Sequence, residues 1–211
     1  MKINEIFYSI QGESTFAGLP CAFVRLSGCN LRCRYCDTAY AYDEGQEMSV
    51  QSVLDEVRHF QCGMVEITGG EPLLQTETSE LAQRLLVAGN QVLVETNGSL
   101  DISALPAGVS RIVDVKCPGS GESQRMHWPN LQPLNFNDNV KFVVSGKADF
   151  DWAVEIVQRY DLTAKTHVLI SPCFGIVAPV MLAEWILQTH LPLRMQLQLH
   201  KLIWDASQRG V

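Results

Sequence analysis

The sequence predicts an α/β fold, an incomplete parallel β/α barrel of about six strands, open on one side, with residues 1–211 as a single domain. Three observations predict it. Short strand-like runs alternate with helical stretches of roughly 10–15 residues along most of the chain, the pattern of βαβ units. The 211 residues fall short of the roughly 250 typical of a closed eight-stranded barrel. Hydrophobic residues make up 46% and charged residues 18%, which supplies a core and excludes a disordered chain.

The elements follow in order. Residues 21–26, Cys-Ala-Phe-Val-Arg-Leu, read as the first buried strand. Ser49 caps a helix in which Val50, Val53, Leu54, Val57 and Phe60 recur at helical spacing. Residues 64–68 form the next strand, ending at Gly69-Gly70. A helix over roughly 78–88 buries Leu81, Leu85 and Leu86 and stops at Gly89. Residues 91–95, 111–115 and 139–144 read as three more strands. Asp149 caps a helix through Tyr160, followed by a strand over 166–170. Pro179 opens the last helix, to about His190, and a strand over 194–199 closes the series. Residues 118–138 break the rhythm, with Met126, His127 and Trp128 among Gly, Ser, Pro and Asn. A loop of that length in a compact domain reads as a lid or a surface excursion.

Composition excludes several classes. The net charge is −7, from 16 Lys+Arg against 23 Asp+Glu, and no stretch concentrates the basic residues, so no nucleic-acid partner is expected. No apolar run approaches the 18 or so residues of a membrane span. The opening Met-Lys-Ile-Asn-Glu lacks the pattern of a signal peptide, and a cytoplasmic location is expected.

Seven cysteines in such a chain point to metal binding or catalysis before disulfides. Cys21, Cys62 and Cys173 stand singly and read as small core hydrophobes. Cys117, between Lys116 and Pro118 at a strand end, is less easily set aside. The strongest signal is Cys29-Asn-Leu-Arg-Cys33-Arg-Tyr-Cys36. Structural zinc asks for four ligands, and no nearby His or Cys completes a set. Iron–sulfur cubes ordinarily take four thiolates, so three leave one iron open to a ligand that is not protein. A zinc loop stays as the alternative, and with it a non-catalytic interaction module.

This Cys-x3-Cys-x2-Cys run resembles the radical S-adenosylmethionine superfamily. The resemblance implies a [4Fe-4S] cluster on Cys29, Cys33 and Cys36, with S-adenosylmethionine held by the open iron and cleaved to a 5′-deoxyadenosyl radical. Tyr35 occupies the aromatic position that lies against the adenine. Thr68-Gly69-Gly70-Glu71-Pro72 then resembles the segment that holds the cofactor's amino group. Both motifs sit at the C-terminal ends of strands, where parallel barrels place their sites. Glu71, before Pro72, reads as a local backbone bond and not a catalytic base.

The flanks narrow the resemblance. Glu5 to Glu13, with its Gln-Gly-Glu, the run Phe23 to Gly28, Cys36-Asp37-Thr38, Gln198 to Trp204 and the closing Arg209-Gly210-Val211 together resemble the 7-carboxy-7-deazaguanine synthase family. That family implies conversion of 6-carboxy-5,6,7,8-tetrahydropterin to 7-carboxy-7-deazaguanine with loss of ammonia, in queuosine-precursor biosynthesis. By position, Ile10, Gln11, Gly12, Glu13, Arg25, Thr68 and Val211 are expected at the substrate. Tyr35, Cys36, Asp37, Gly70, Lys116 and the run Ser171, Pro172, Cys173 and Phe174 are expected at the cofactor. Thr38 is expected to hold Mg²⁺. An electron donor such as flavodoxin and a homodimer are further implied. A radical activase shares the cysteine loop and short chain but lacks the Gln-Gly-Glu and Cys-Asp-Thr elements.

Overall fold

The computed structural model describes residues 1–211, in which nine strands form one sheet. In chain order they are β1 (Lys2–Ile10), β2 (Pro20–Leu26), β3 (Gln46–Glu47), β4 (Met64–Gly69), β5 (Gln91–Thr96), β6 (Ser110–Asp114), β7 (Asn139–Val144), β8 (His167–Pro172) and β9 (Arg194–Met195). In space they run β3-β1-β2-β4-β5-β6-β7-β8-β9. Every pair from β2 to β9 is parallel, and the two ends do not pair, so the barrel is open. The helices are α1 (Val50–His59), α2 (Glu77–Val87), α3 (Lys147–Arg159), α4 (Pro179–Thr189) and α5 (His200–Ile203).

Strand residues alternate in role. One face packs against helices: Val24 and Leu26 of β2, Val65 and Ile67 of β4, and Val92 and Val94 of β5 join Val53, Leu54 and Val57 of α1 and Leu81 and Leu85 of α2. Val140 and Phe142 of β7 and Val168 and Ile170 of β8 do the same with Phe150, Ala153 and Ile156 of α3. The inner face carries a small cluster of Cys21, Phe23, Met64, Leu93 and Ile112 at its base, and charged residues above it.

Four features depart from the sequence reading. Residues 2–10 form β1, an antiparallel edge strand, where the sequence offered only a motif. Its apolar residues, Ile3, Ile6, Phe7, Tyr8 and Ile10, do not alternate strictly with polar ones, and pairing with β2 and β3 supplies the order. The expected strand over 194–199 shrinks to β9, because Gln196 and Gln198 turn their amides inward to Glu13 and Leu199 already enters α5. Asp149 does not precede its helix: α3 starts at Lys147, and the Asp149 carboxylate accepts from the backbone N–H groups of Ser145 and Gly119 at 2.9 and 2.8 Å. The 118–138 segment is no lid. Leu131, Leu134 and Met126 are buried in the core, and Trp128 stacks on Tyr160 at 5.6 Å. It fills the place of a crossover helix between β6 and β7.

Candidate active site

Two glycines bring the two motifs together. Glu71 N–H donates to the Gly28 carbonyl at 2.8 Å and Gly70 N–H to the Leu26 carbonyl at 3.2 Å. The turn after β4 therefore lies directly on the chain leaving β2 for the cysteine loop. A Cβ at Gly69 would stand 2.3 Å from the Leu26 carbonyl, and one at Gly70 would stand 2.2 Å from the Gly28 carbonyl and 2.7 Å from the Cys29 Cβ. Only glycine permits that approach. Glu71 is fully buried; its carboxylate accepts from Leu73 N–H, Asn97 N–H and the Thr96 hydroxyl. It ties the turn to the end of β5 and is not free to act as a base, as its position implied.

The cysteine loop is fastened at its far side. Arg34 N–H donates to the Ser120 carbonyl at 3.0 Å, and Arg32 N–H to Glu122 at 2.7 Å. The Tyr35 hydroxyl crosses to the Val143 carbonyl of β7 at 3.0 Å. Cys29, Cys33 and Cys36 are free thiols on the wall of one cavity of about 710 Å³. Burial pushes the Cys33 thiol up to about 11, against the pull of the Lys116 ammonium. No three His, Cys, Asp or Glu side chains are grouped to hold a single metal ion. A thiol-only set spread along one loop suits a cluster of several irons better than one tetrahedral zinc.

The cavity floor is charged. Lys141 of β7 bonds Glu13 at 2.7 Å and Glu95 of β5, with Asp114 of β6 at 3.8 Å. Burial opposes its charge, but these three carboxylates outweigh it and raise the Lys141 pKa well above its usual value. Lys116 pairs with Asp114 at 2.7 Å. Glu13 also accepts from Gln196 and Gln198; burial works against its charge, and Lys141, with the Gln198 hydrogen bond, holds it below the usual carboxylate range. Glu66 of β4 accepts from the Gln11 amide. Burial, and then the nearby Glu95 charge, push Glu66 up to about 8.

Arg25 is aimed by a bulge. Between Ile3 and Glu5 the register of β1 on β2 shifts, so Glu5 stands opposite Arg25 and accepts from its Nε at 2.7 Å. Bulges re-aim side chains in this way. Burial disfavours the Arg25 charge, yet Tyr40 and Glu5 hold it above its usual value. Nε alone is engaged, which leaves the two terminal NH₂ groups of the fork for a ligand.

The C-terminal segment closes the cavity from above. Leu199 N–H donates to the Gly12 carbonyl at 3.1 Å. Lys201 pairs with Asp37, and Arg209 bonds Glu44 at 3.1 Å with its guanidinium 3.8 Å over the Tyr40 ring. Burial alone would raise Asp37; Lys201, with hydrogen bonds from Thr38 and Gln198, drives it well below the usual range instead.

Among the residues the sequence singles out, Ile10, Gln11, Gly12, Glu13, Arg25, Thr68 and Val211 line the cavity, as do Tyr35, Asp37, Thr38, Gly70, Lys116, Cys173 and Phe174. Ser171 and Pro172 do not. The Ser171 hydroxyl accepts from Gln196 at 3.2 Å, and Pro172 pairs with Val144 inside the sheet. Glu66, Glu95 and Lys141 were not anticipated. Their signal was present: a charged residue inside a strand buried on both faces breaks the apolar run such strands show. His200 begins α5 and lines the cavity beside Gly12.

An open parallel barrel with three thiols and a Gly-Gly turn at its C-terminal rim is the architecture of a radical S-adenosylmethionine domain, and residues 23–161 match the Radical SAM superfamily. The chain is 44% identical over 216 residues to the 7-carboxy-7-deazaguanine synthase of Chlorobaculum tepidum, covering 100% of this chain and 97% of that protein. The namesake from Koribacter versatilis is 42% identical, with 100% of both chains covered. Among solved structures, QueE from Escherichia coli superposes with a TM-score of 0.77 at 22% identity over 93% of each chain. SuiB from Streptococcus suis shares the fold, with a TM-score of 0.58 over 83% of this chain and 48% of that one. The chain belongs to the 7-carboxy-7-deazaguanine synthase family. Membership carries with it the [4Fe-4S] cluster and S-adenosylmethionine, and no helix is long and apolar enough to cross a membrane.

Proposed function

We propose that the chain is the radical S-adenosylmethionine lyase that converts 6-carboxy-5,6,7,8-tetrahydropterin to 7-carboxy-7-deazaguanine with release of ammonia. The observation that carries this reading is one cavity holding both sets of residues: the thiols and Gly70 on one wall, and Gln-Gly-Glu, Arg25, Thr68 and the C-terminus on the other. Bound there, the cluster and S-adenosylmethionine supply a carbon radical able to take hydrogen from an unactivated position.

The protein's part is to hold and orient. Arg25, with Nε held by Glu5, offers its terminal NH₂ pair to the substrate carboxylate, a bidentate match suited to a planar fork. Thr68, bonded to Glu95 at 3.3 Å, is fixed at the end of β4 and faces the same space. Cys29, Cys33 and Cys36 take the cluster; Gly70, Tyr35, Asp37, Lys116, Cys173 and Phe174 flank the cofactor. Thr38, donating to Asp37 at 2.9 Å, offers its oxygen to Mg²⁺, which keeps several waters and needs few protein ligands. A reduced flavodoxin-like donor and a second copy of the chain complete the working enzyme.

The test is anaerobic reconstitution of the cluster, followed by S-adenosylmethionine, reductant and 6-carboxytetrahydropterin, with and without Mg²⁺, and mass spectrometry of the products. Formation of 7-carboxy-7-deazaguanine, stimulated by Mg²⁺, is expected. Cleavage of the cofactor without that product would point to a radical activase instead, and an equal rate without Mg²⁺ would remove Thr38 from its role.

A further inference from the structure

Gln11 was expected to meet the substrate, yet the structure uses nearly all of its polar groups internally. Its backbone N–H donates to the Leu19 carbonyl and its carbonyl accepts from Gly18 N–H, both at 2.8 Å. Its side-chain oxygen accepts from Glu13 N–H at 3.0 Å. A backbone N–H can only donate, so the amide nitrogen is forced toward Glu66, which accepts from it. Gln11 and Glu66 are each only 3% exposed. The loop between β1 and β2 is thus pinned at both ends of one amide, and two further contacts hold it. Ser14 N–H donates to Gln196 at 2.6 Å and Thr15 N–H to Asn139 at 3.0 Å.

Resting on the function proposed above, we propose that Glu66 is a positioning residue for the substrate-binding loop 11–18: its carboxyl holds the Gln11 amide, and Gln11 serves the reaction by aiming Gly12 and Glu13. Glu66 stands against Glu95, Lys141 and Glu13 as well as Gln11. Burial and the neighbouring Glu95 charge raise its pKa, and in either protonation state the oxygen facing the Gln11 amide nitrogen is an acceptor. That sets the requirement at position 66: an acceptor of the same shape, charged or not.

The experiment is a double-mutant cycle of Gln11→Leu and Glu66→Val, with Glu66→Gln as the conservative variant, in the reconstituted enzyme. Three quantities are read: KM for 6-carboxytetrahydropterin, the ratio of 5′-deoxyadenosine to product, and amide hydrogen exchange across residues 11–19. Glu66→Val is expected to raise KM about tenfold, the size of one lost hydrogen bond, to uncouple cofactor cleavage from product, and to speed exchange in the loop. The double variant should be no worse than either single one, because contacting residues couple, and Glu66→Gln should stay within about twofold of wild type. Additive effects, unchanged exchange in Glu66→Val, or a Glu66→Gln as impaired as Glu66→Val would each overturn the proposal. If Glu66→Val does not fold, Gln11→Leu and Glu66→Gln still decide it by the same readouts. A wild type without product defeats the functional reading alone, since the exchange measurement judges the anchor independently.

Discussion

Along the inner face of the sheet, the two ends of the strands bury different chemistry. At the base, Cys21, Phe23, Met64, Leu93 and Ile112 pack together, and Phe7 stacks on Phe23 at 4.8 Å. One or two inward positions further along the same strands stand Arg25, Glu66, Thr68, Glu95 and Asp114, with Lys141 of β7 beside Asp114. The backbone is equally regular at both ends, and both are buried. Apolar contacts at the base stabilise the barrel by removing surface from water. Charges at the rim lose hydration on burial, and ion pairing commonly does no more than offset that loss. A rim built this way is maintained for what it binds, and the base carries the stability.

The largest effect tests the function of the rim. Cys33→Ala removes one of three thiols that no other ligand can replace, so formation of 5′-deoxyadenosine is expected to fall below detection while the fold persists. Chromatography of the reaction checks it, and measurable cofactor cleavage by this variant would move the cluster away from the cysteine loop.

The next contrast sets rim against base directly. Lys141→Met leaves Glu13 and Glu95 facing each other without a cation, and breaking a buried pair in this manner costs about 3–5 kcal/mol. It should also abolish product, because Glu13 loses its anchor. Leu93→Ala at the base opens a cavity for about 2–5 kcal/mol but should leave KM for the pterin near wild type. Denaturant unfolding and steady-state kinetics on both variants separate stability from function. A Leu93→Ala enzyme with strongly raised KM would show that the two ends are not independent.

The same division explains what could be read from the sequence. Six parallel strands and four of the helices were legible within a residue or two, because each is an apolar run or stripe with its own stop signal. The thiols and the Gly-Gly turn were legible because their chemistry lies in adjacent residues. Most of the floor was not. Glu13 stood out through its Gln-Gly-Glu motif, but Glu66, Glu95, Asp114 and Lys141 come from four different strands, and only strand register makes them neighbours. The bulge that turns Glu5 to Arg25 leaves no local mark either. Ser171 shows what register adds: it was singled out by its place in the chain, and the fold sets its hydroxyl to accept from the inward Gln196 amide.

The smallest effect isolates one rim group by pH. Folding raises the Glu66 carboxyl from an ordinary 4.5 to about 8, chiefly through burial and then through Glu95. Below about pH 4.5 the carboxyl is protonated in both folded and unfolded chains and costs nothing. Between that pH and about 8 the unfolded chain releases the proton while the folded chain keeps it, so stability falls as pH rises, and above about 8 the loss is complete. Glu66→Gln has no proton to release. Its melting temperature relative to wild type should therefore climb from pH 5 to pH 8 and then level off, by at least about 2–4 °C, the equivalent of 1 kcal/mol in a chain of this size. Taking the difference between the two proteins removes the contributions of Glu13, whose pKa is lowered, and of His200, which burial lowers despite the Glu13 carboxylate nearby. A difference that stays flat across the window would mean that Glu66 is ionised in the folded protein. The rim would then carry the Glu66 charge beside those of Glu13 and Glu95, with Lys141 as the cation they share.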